Sequence, residues 1–294
     1  LEEKVRDAVA TVVEKQVMTG LDLVNDGELS KIGYGAYVKE RLTGFGGGAA
    51  AGLHTSDLDD FPAYFTRLYG PEGFDKMVRP LCDNKITYAN VDAVAGDIAS
   101  LKGAMAVHKA AGGFLSAASP GTVSIWLGNG YYKSHEEYVW AIADAMKIEY
   151  DAIHQAGFVL QLDSPDLGMG RHMQFADADL ATFRKNAAMH VEALNHATRD
   201  IPPEAMRIHL CWGNYDGPHH HDVELKDIID FVLDARPAAI SFEAANPRHE
   251  HEWKVWKERS IPDEKILLPG VINSVTHFIE HPELIADRIC RYAD

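Results

Sequence analysis

Two side chains carry the first chemical signal. His209 and Cys211 stand two residues apart in Met206-Arg207-Ile208-His209-Leu210-Cys211-Trp212, an alternating run that reads as a short β-strand. Residues two apart on a strand share one face. An imidazole and a thiol therefore point the same way, just where the strand gives out into Gly213-Asn214-Tyr215-Asp216-Gly217-Pro218. A second alternating run, Ala239-Ile240-Ser241-Phe242-Glu243, ends in a carboxylate. Brought together at neighbouring strand ends, His209, Cys211 and Glu243 would supply three of the four ligands that Zn2+ usually takes, and a catalytic zinc keeps one position open. The plain alternative makes Cys211 a small buried hydrophobe and His209 a satisfied core histidine. The paired spacing and the strand-end Glu243 set the metal reading beside it.

Other candidates sit at similar places. Glu28, in Val24-Asn25-Asp26-Gly27-Glu28, and Asp163, in Leu160-Gln161-Leu162-Asp163-Ser164-Pro165, each follow a strand-like run. Two carboxylates converging on a pocket suit an ammonium group or acid–base work. The competing reading, loop carboxylate or helix cap, fits Asp26 and Asp166 better. Trp126 offers a flat wall for an aromatic ring, although a large residue near a strand end also serves packing. Trp253 and Trp256 are at helical spacing and read as core or interface. In His219-His220-His221-Asp222 three consecutive rings diverge and cannot all face one ion. One or two are expected to face the pocket, with Asp222 capping the next helix. Cys290 lies on a terminal helix and is expected to pack against the sheet.

The elements that must position these groups alternate along the chain. Helical periodicity covers residues 1–18, 91–110, 135–155, 177–198, 222–235, 249–259 and 281–293. Strand-like runs at 21–24, 113–118, 158–162, 206–211, 239–243 and 266–270 fall between them, and the first is expected to be buried. Repeated units of this size imply parallel strands with crossover helices. Glu28, Ser119, Asp163, His209 with Cys211, Glu243 and Asn273 all gather at carboxyl ends of strands, where a (β/α)8 TIM barrel keeps its active site. That α/β barrel, as one domain over residues 1–294, is the expected fold. The Gly- and Ala-rich stretch 44–52 reads as a flexible loop, and residues 57–88 have no clean period, so 44–88 is expected to be an insertion or lid. Only six barrel strands are visible, and the first and last of eight are the ones missing. A doubly wound sheet competes but has no Gly-rich dinucleotide fingerprint to support it.

Composition narrows the function. Hydrophobic residues make up 46% of the chain, enough for a sizeable core. A formal net charge of −16 repels phosphate backbones and anionic membrane surfaces, so nucleic acid and membrane are not expected partners. No apolar run reaches the length of a membrane span, and residues 1–18 read as an amphipathic helix rather than a signal peptide. Cysteines at 82, 211 and 290 form an odd, sparse set, which points to a reducing, cytoplasmic compartment. A homo-oligomer stays open.

Taken in order, Val24-Asn25-Asp26-Gly27-Glu28, Leu162-Asp163-Ser164-Pro165, His209-Leu210-Cys211, Phe242-Glu243 and Pro269-Gly270-Val271 resemble the catalytic domain of the cobalamin-independent methionine synthase family. The likeness is strongest to its short, single-barrel group, which includes epoxyalkane–coenzyme M transferases, through Cys211-Trp212-Gly213-Asn214-Tyr215-Asp216-Gly217-Pro218-His219-His220-His221-Asp222. The resemblance implies a zinc enzyme that transfers a methyl group from a methylated folate to homocysteine. It implies His209, Cys211 and Glu243 as metal ligands, and Glu28 and Asp163 as the catalytic carboxylates holding the amino group. It also implies Trp126 at the folate site, while Asn273 is expected at the substrate site from its strand-end position alone.

Three departures bear on this. The family's fourth ligand, a Cys in an Asp-Cys-Gly turn, has no counterpart here, and neither has its early Gly-Ser motif. Both belong to the two strands not found, so the chain is expected to be part of a longer protein. Ile272-Asn273-Ser274-Val275 stands where methionine synthases carry an Asp and a His that relay protons. An epoxide or corrinoid-methyl electrophile, another thiol, or a barrel that only binds a small ligand are the alternatives this leaves.

Overall fold

The computed structural model describes residues 2–50, 53, 55–70 and 79–293. Its strands in chain order are β1 (Leu23–Val24), β2 (Gly48–Ala50), β3 (Arg79–Cys82), β4 (Gly112–Ala118), β5 (Gly128–Asn129), β6 (Val159–Asp163), β7 (Met206–Leu210), β8 (Ala239–Glu243) and β9 (Ile266–Gly270). Its helices are α1 (Glu2–Met18), α2 (Tyr34–Arg41), α3 (Pro62–Tyr69), α4 (Val91–His108), α5 (Pro120–Trp126), α6 (His135–Gln155), α7 (Gly170–Met173), α8 (Leu180–Ala197), α9 (Ile229–Leu233), α10 (Trp253–Glu258) and α11 (Pro282–Ala293). Strands β1, β4, β6, β7, β8 and β9 lie side by side in that order, every pair parallel. Strand order that follows chain order without reversal makes a barrel wall; a doubly wound sheet reverses at its switch point. The expected α/β barrel architecture is therefore present as a curled six-stranded wall. No helix among the described residues is long and apolar enough to cross a membrane.

The two-residue period of the strands sorts side chains between two faces. Leu115 and Ala117, Leu160 and Leu162, Ile208 and Leu210, and Ile240 and Phe242 are all buried in the main core. Their neighbours Ser116, Gln161, Asp163, Arg207, His209, Ser241 and Glu243 have the opposite parity and face away from that layer. The helices start where local chemistry permits. Ser134 accepts a bond from the Glu137 amide at 3.1 Å to open α6, and Asp179 accepts one from Thr182 at 2.7 Å to open α8. Ser119 does the same for Thr122 at 3.1 Å, with Pro120 in the first turn of α5.

Several expectations need correction. The first strand was expected to be buried from Leu21 to Val24, but only Leu23–Val24 pair, and Leu21 and Leu23 are exposed. It is an edge strand with a neighbour on one side only. Cys290 does not pack against the sheet; it is exposed on α11. Asp222 caps no helix, because buried imidazoles claim its carboxylate. The 44–88 region contributes β2 and β3, which periodicity did not reveal, to a small sheet completed by β5 from beyond it, with β2 antiparallel to β3 and β3 parallel to β5. Residues 51, 52, 54 and 71–78 of that expected lid lie outside the described residues.

Two buried polar knots tie the carboxyl-end loops to the wall. In one, Ser119 and Thr122 hydroxyls donate to Asp166 Oδ1 at 2.7 Å each, and His190 Nδ1 lies 3.0 Å from Asp166 Oδ2. Gly121 is the contact point. A Cβ there would stand 2.0 Å from Asp166 Oδ2 and 2.5 Å from His190 Nδ1. In the other, His172 Nδ1, His219 Nδ1 and His249 Nε2 each lie 2.9 Å from Asp222. Trp212 stacks on His249 with ring centroids 3.8 Å apart. Burial works against charge on His249, but Asp222 and Glu252 outweigh it and raise the imidazole to about 9. Burial likewise opposes charge on Asp222, yet the three imidazoles hold it well below the usual carboxylate range.

Two outcomes are expected. Gly121→Ala should lower the unfolding free energy by about 2–3 kcal/mol, read as a reduced denaturant midpoint, because the inserted methyl must displace a buried ion pair. The His249 contribution is complete below the unfolded imidazole value of about 6.5 and is lost as pH rises through about 9. The melting temperature should therefore fall across that window, and His249→Gln should flatten the fall. The Asp222 contribution has the opposite sense and disappears on acidification below about 4.

Candidate active site

Register brings the expected residues together. Asp163 pairs with His209, and His209 with Ser241, across three adjacent strands. Cys211 follows two residues on from His209, and Glu243 two on from Ser241, so all of these share one parity at the top of the wall. A cavity of about 800 Å³ opens there, lined by His209, Cys211, Ser241, Glu243, Trp126 and Asn273 among others. A smaller one, about 110 Å³, is lined by Glu28, Asp163, Lys31 and Ser116, and Tyr34 lines both. The metal candidates thus occupy the larger space and the paired carboxylates the smaller. Of the histidine run only His219 lines the large cavity.

Asp163 is held by one partner near in sequence and one far along the chain, and Glu28 by its own local turns. Tyr34 Oη donates to Asp163 Oδ2 at 3.2 Å, and Gln161 Nε2 donates to Asp163 Oδ1 at 2.8 Å. Gln161 is set in turn by Arg207 Nε, which donates to its Oε1 at 2.6 Å. Glu28 sits at φ 55°, the left-handed region. Asn25 Oδ1 accepts from Gly27 N at 3.1 Å, and Asp26 Oδ1 from Glu28 N at 2.9 Å, so two side-chain turns hold that conformation. A non-glycine residue there costs about 1–2 kcal/mol. Backbone strain of this kind concentrates at functional sites. Tyr34 also stacks near Trp126, with ring centroids 6.3 Å apart.

The electrostatics favour an incoming cation. Burial pushes the Asp163 carboxyl up, against the pull of Gln161, Lys31 and Tyr34, and burial also raises Glu243. Burial, helped by the Arg207 guanidinium, pushes His209 down to about 4, which leaves a neutral imidazole able to act as a ligand. Burial first, then the charges of Glu243, Asp163 and Asp222, push the Cys211 thiol up to about 12. Such a thiol gives up its proton only beside strong positive charge, as a divalent metal provides. A neutral imidazole, a thiol and a reluctant carboxylate on one cavity wall are a donor set that fits Zn2+. Their ligand atoms do not all lie within 4.8 Å of one another. Glu243 Oε2 is engaged by Asn246 Nδ2, three residues ahead on the following loop.

Sequence reasoning missed several members. Gln161 and Ser241 share parity with Asp163 and Glu243, so the strand period could have found them. Lys31, whose Nζ donates to the Ser116 carbonyl, lies on the irregular segment after β1, and Tyr34 opens α2, so neither carries a strand-parity signal. Asn273 lies on the cavity wall as expected, but its Oδ1 is used locally, accepting from Val275 N at 3.0 Å.

No family model matches the chain. Among proteins of known name it is similar to "Methionine synthase" of Saccharolobus solfataricus, 24% identical over 239 residues, covering 79% of this chain and 60% of that one. "Methionine synthase" of Sulfolobus acidocaldarius is 25% identical over 235 residues, covering 79% and 59%. The chain thus spans about 60% of the length of these curated relatives. Among solved structures, the B12-independent methionine synthase from Shewanella sp. W3-18-1 in complex with selenomethionine superposes with a TM-score of 0.71 at 18% identity, covering 98% of this chain and 76% of that one. That likeness carries the fold, and the sequence matches, with the motifs in their order, make the chain similar to methionine synthases.

Proposed function

We propose that this chain is the catalytic barrel of a zinc-dependent thiol S-methyltransferase, passing a methyl group from a methylated folate to homocysteine. The observation that carries the reading is the shared parity of His209, Cys211 and Glu243 on one cavity wall, with Glu28 and Asp163 in the adjoining pocket. His209, Cys211 and Glu243 would hold the ion. Bound zinc would supply the positive charge that keeps an incoming mercaptan deprotonated at neutral pH.

The remaining roles belong to the chain's own groups. Glu28 and Asp163 bind the substrate ammonium, and Asp163, raised by burial, is more readily ionised once that positive charge arrives. Gln161 and Tyr34 fix the two oxygens of Asp163, so the ammonium meets an oriented acceptor. Burial first, and then the Arg207 charge, keeps His209 from taking up a proton and so preserves its lone pair. Trp126, stacked near Tyr34, walls the larger space where a flat ring system of the donor would lie.

Cobalt substitution tests the metal assignment. Co2+ in this site should give thiolate-to-metal charge-transfer absorption, lost in Cys211→Ser and titrating at least about tenfold more weakly in His209→Ala. The same band in parent and Cys211→Ser would refute it. Asp163→Asn should raise KM for homocysteine by roughly 10- to 100-fold with a smaller effect on kcat, the signature of lost charge-assisted binding. Methionine formation from homocysteine and a methylated folate is the decisive assay. Product found only with an epoxide or a corrinoid-bound methyl group would move the reading to another electrophile, and no turnover with metal bound would leave a binding barrel.

A further inference from the structure

Outside the 209/211/243 set, a second group of donors converges. Asp57, His220 and His221 each offer a ligand atom within 4.8 Å of the others. Asp60 joins them, its Oδ2 lying 2.7 Å from His220 Nε2 and 2.9 Å from His221 Nε2. The other ring nitrogen of His220, Nδ1, is 3.3 Å from Asp57 Oδ1. Consecutive histidines ordinarily diverge, but His219 takes φ 53° and turns away to Asp222. The next two rings are left side by side, with centroids 4.2 Å apart. Both are partly exposed, while the Asp57 side chain is fully buried and anchored by the Tyr215 hydroxyl and the His221 amide. Two imidazoles and two carboxylates, one rigid and the others open to solvent, are a borderline-soft N2O2 set with an entry path, suited to Zn2+, Co2+ or Ni2+.

The donors come from two segments that both reach the main cavity. Asp57 and Asp60 lie among residues 55–60, from which Thr55 and Leu58 line it, and His220 and His221 lie on the loop from which Tyr215 and His219 line it. We propose that Asp57, Asp60, His220 and His221 form a second divalent transition-metal site that clamps residues 55–60 onto the 213–222 loop at the cavity mouth. The site holds no thiol and shares no residue with the proposed catalytic set, so it stands whether or not that set binds zinc.

The test uses tag-free full chain carrying His209→Ala and Cys211→Ser, which removes the first set, titrated calorimetrically with Zn2+. One equivalent should still bind, with no thiolate band when Co2+ is used instead. Adding His220→Ala and His221→Ala should weaken that binding by at least about tenfold, as should the single exposed change Asp60→Asn, which guards against misfolding of the histidine variant. Zn2+ should also slow amide exchange across 55–60 in the first background and leave it unchanged in the second. Absence of binding in the first background, or equal affinity in the second, overturns the site. Binding that leaves exchange at 55–60 unaltered overturns the clamp.

Discussion

The parallel register of four adjacent strands, β4, β6, β7 and β8, is the constraint on which the site depends. Ser116, Gln161, Arg207 and Ala239 stand level with one another, and two residues further on Asp163, His209 and Ser241 do the same. A slip of β7 by one residue would turn His209 and Cys211 into the helix layer and Ile208 and Leu210 into the polar cavity. Burying each of those aliphatic side chains is worth roughly 1.5–3 kcal/mol, so the slip costs several kcal/mol before any polar group is left unsatisfied. The placement of His209, Cys211 and Glu243 is thus specified by hydrophobic packing on the opposite face of the wall.

Burial then decides the chemistry of the groups so placed. The same apolar surroundings that lower His209 raise Asp163, Glu243 and Cys211, because low polarity penalises charge of either sign. One imidazole kept neutral and three acids held back from ionising make a cavity that gains when positive charge enters. Lys31 supplies some positive charge from within, since it counters the effect of burial on Asp163.

Groups set by short-range rules were legible in the sequence, and groups set by distant partners were not. Helix α6 matches its expected span because Ser134 caps it and its apolar period runs unbroken. His209, Cys211 and Glu243 were legible because strand alternation is local. Tyr34 was not: its hydroxyl meets Asp163 across 129 residues of sequence, and nothing near Tyr34 signals that partner. Asp222 was misread for the same reason. A polar residue before a helical run usually caps it, but His172 and His249 reach this one from separate segments and take both oxygens. The exposure of Leu21 and Leu23 follows from β1 standing at one edge of the sheet, where among the described residues only β4 pairs with it.

The wall and the cover are held by different forces, and this separates rigidity from access. The wall is apolar, continuous and closely packed, so its strands open only with the fold itself. The contact between residues 55–60 and the 213–222 loop is polar: Asp57 takes the Tyr215 hydroxyl and the His221 amide, and Asp60 faces two imidazoles. Water can replace polar contacts of this kind at modest net cost, since each intramolecular hydrogen bond contributes only about 0.5–1.5 kcal/mol. A cover joined in this way can part and close while β7 and β8 keep His209, Cys211 and Glu243 in register. Access to the cavity needs a cover that can part, and the site beneath it needs the opposite, donors held in fixed positions.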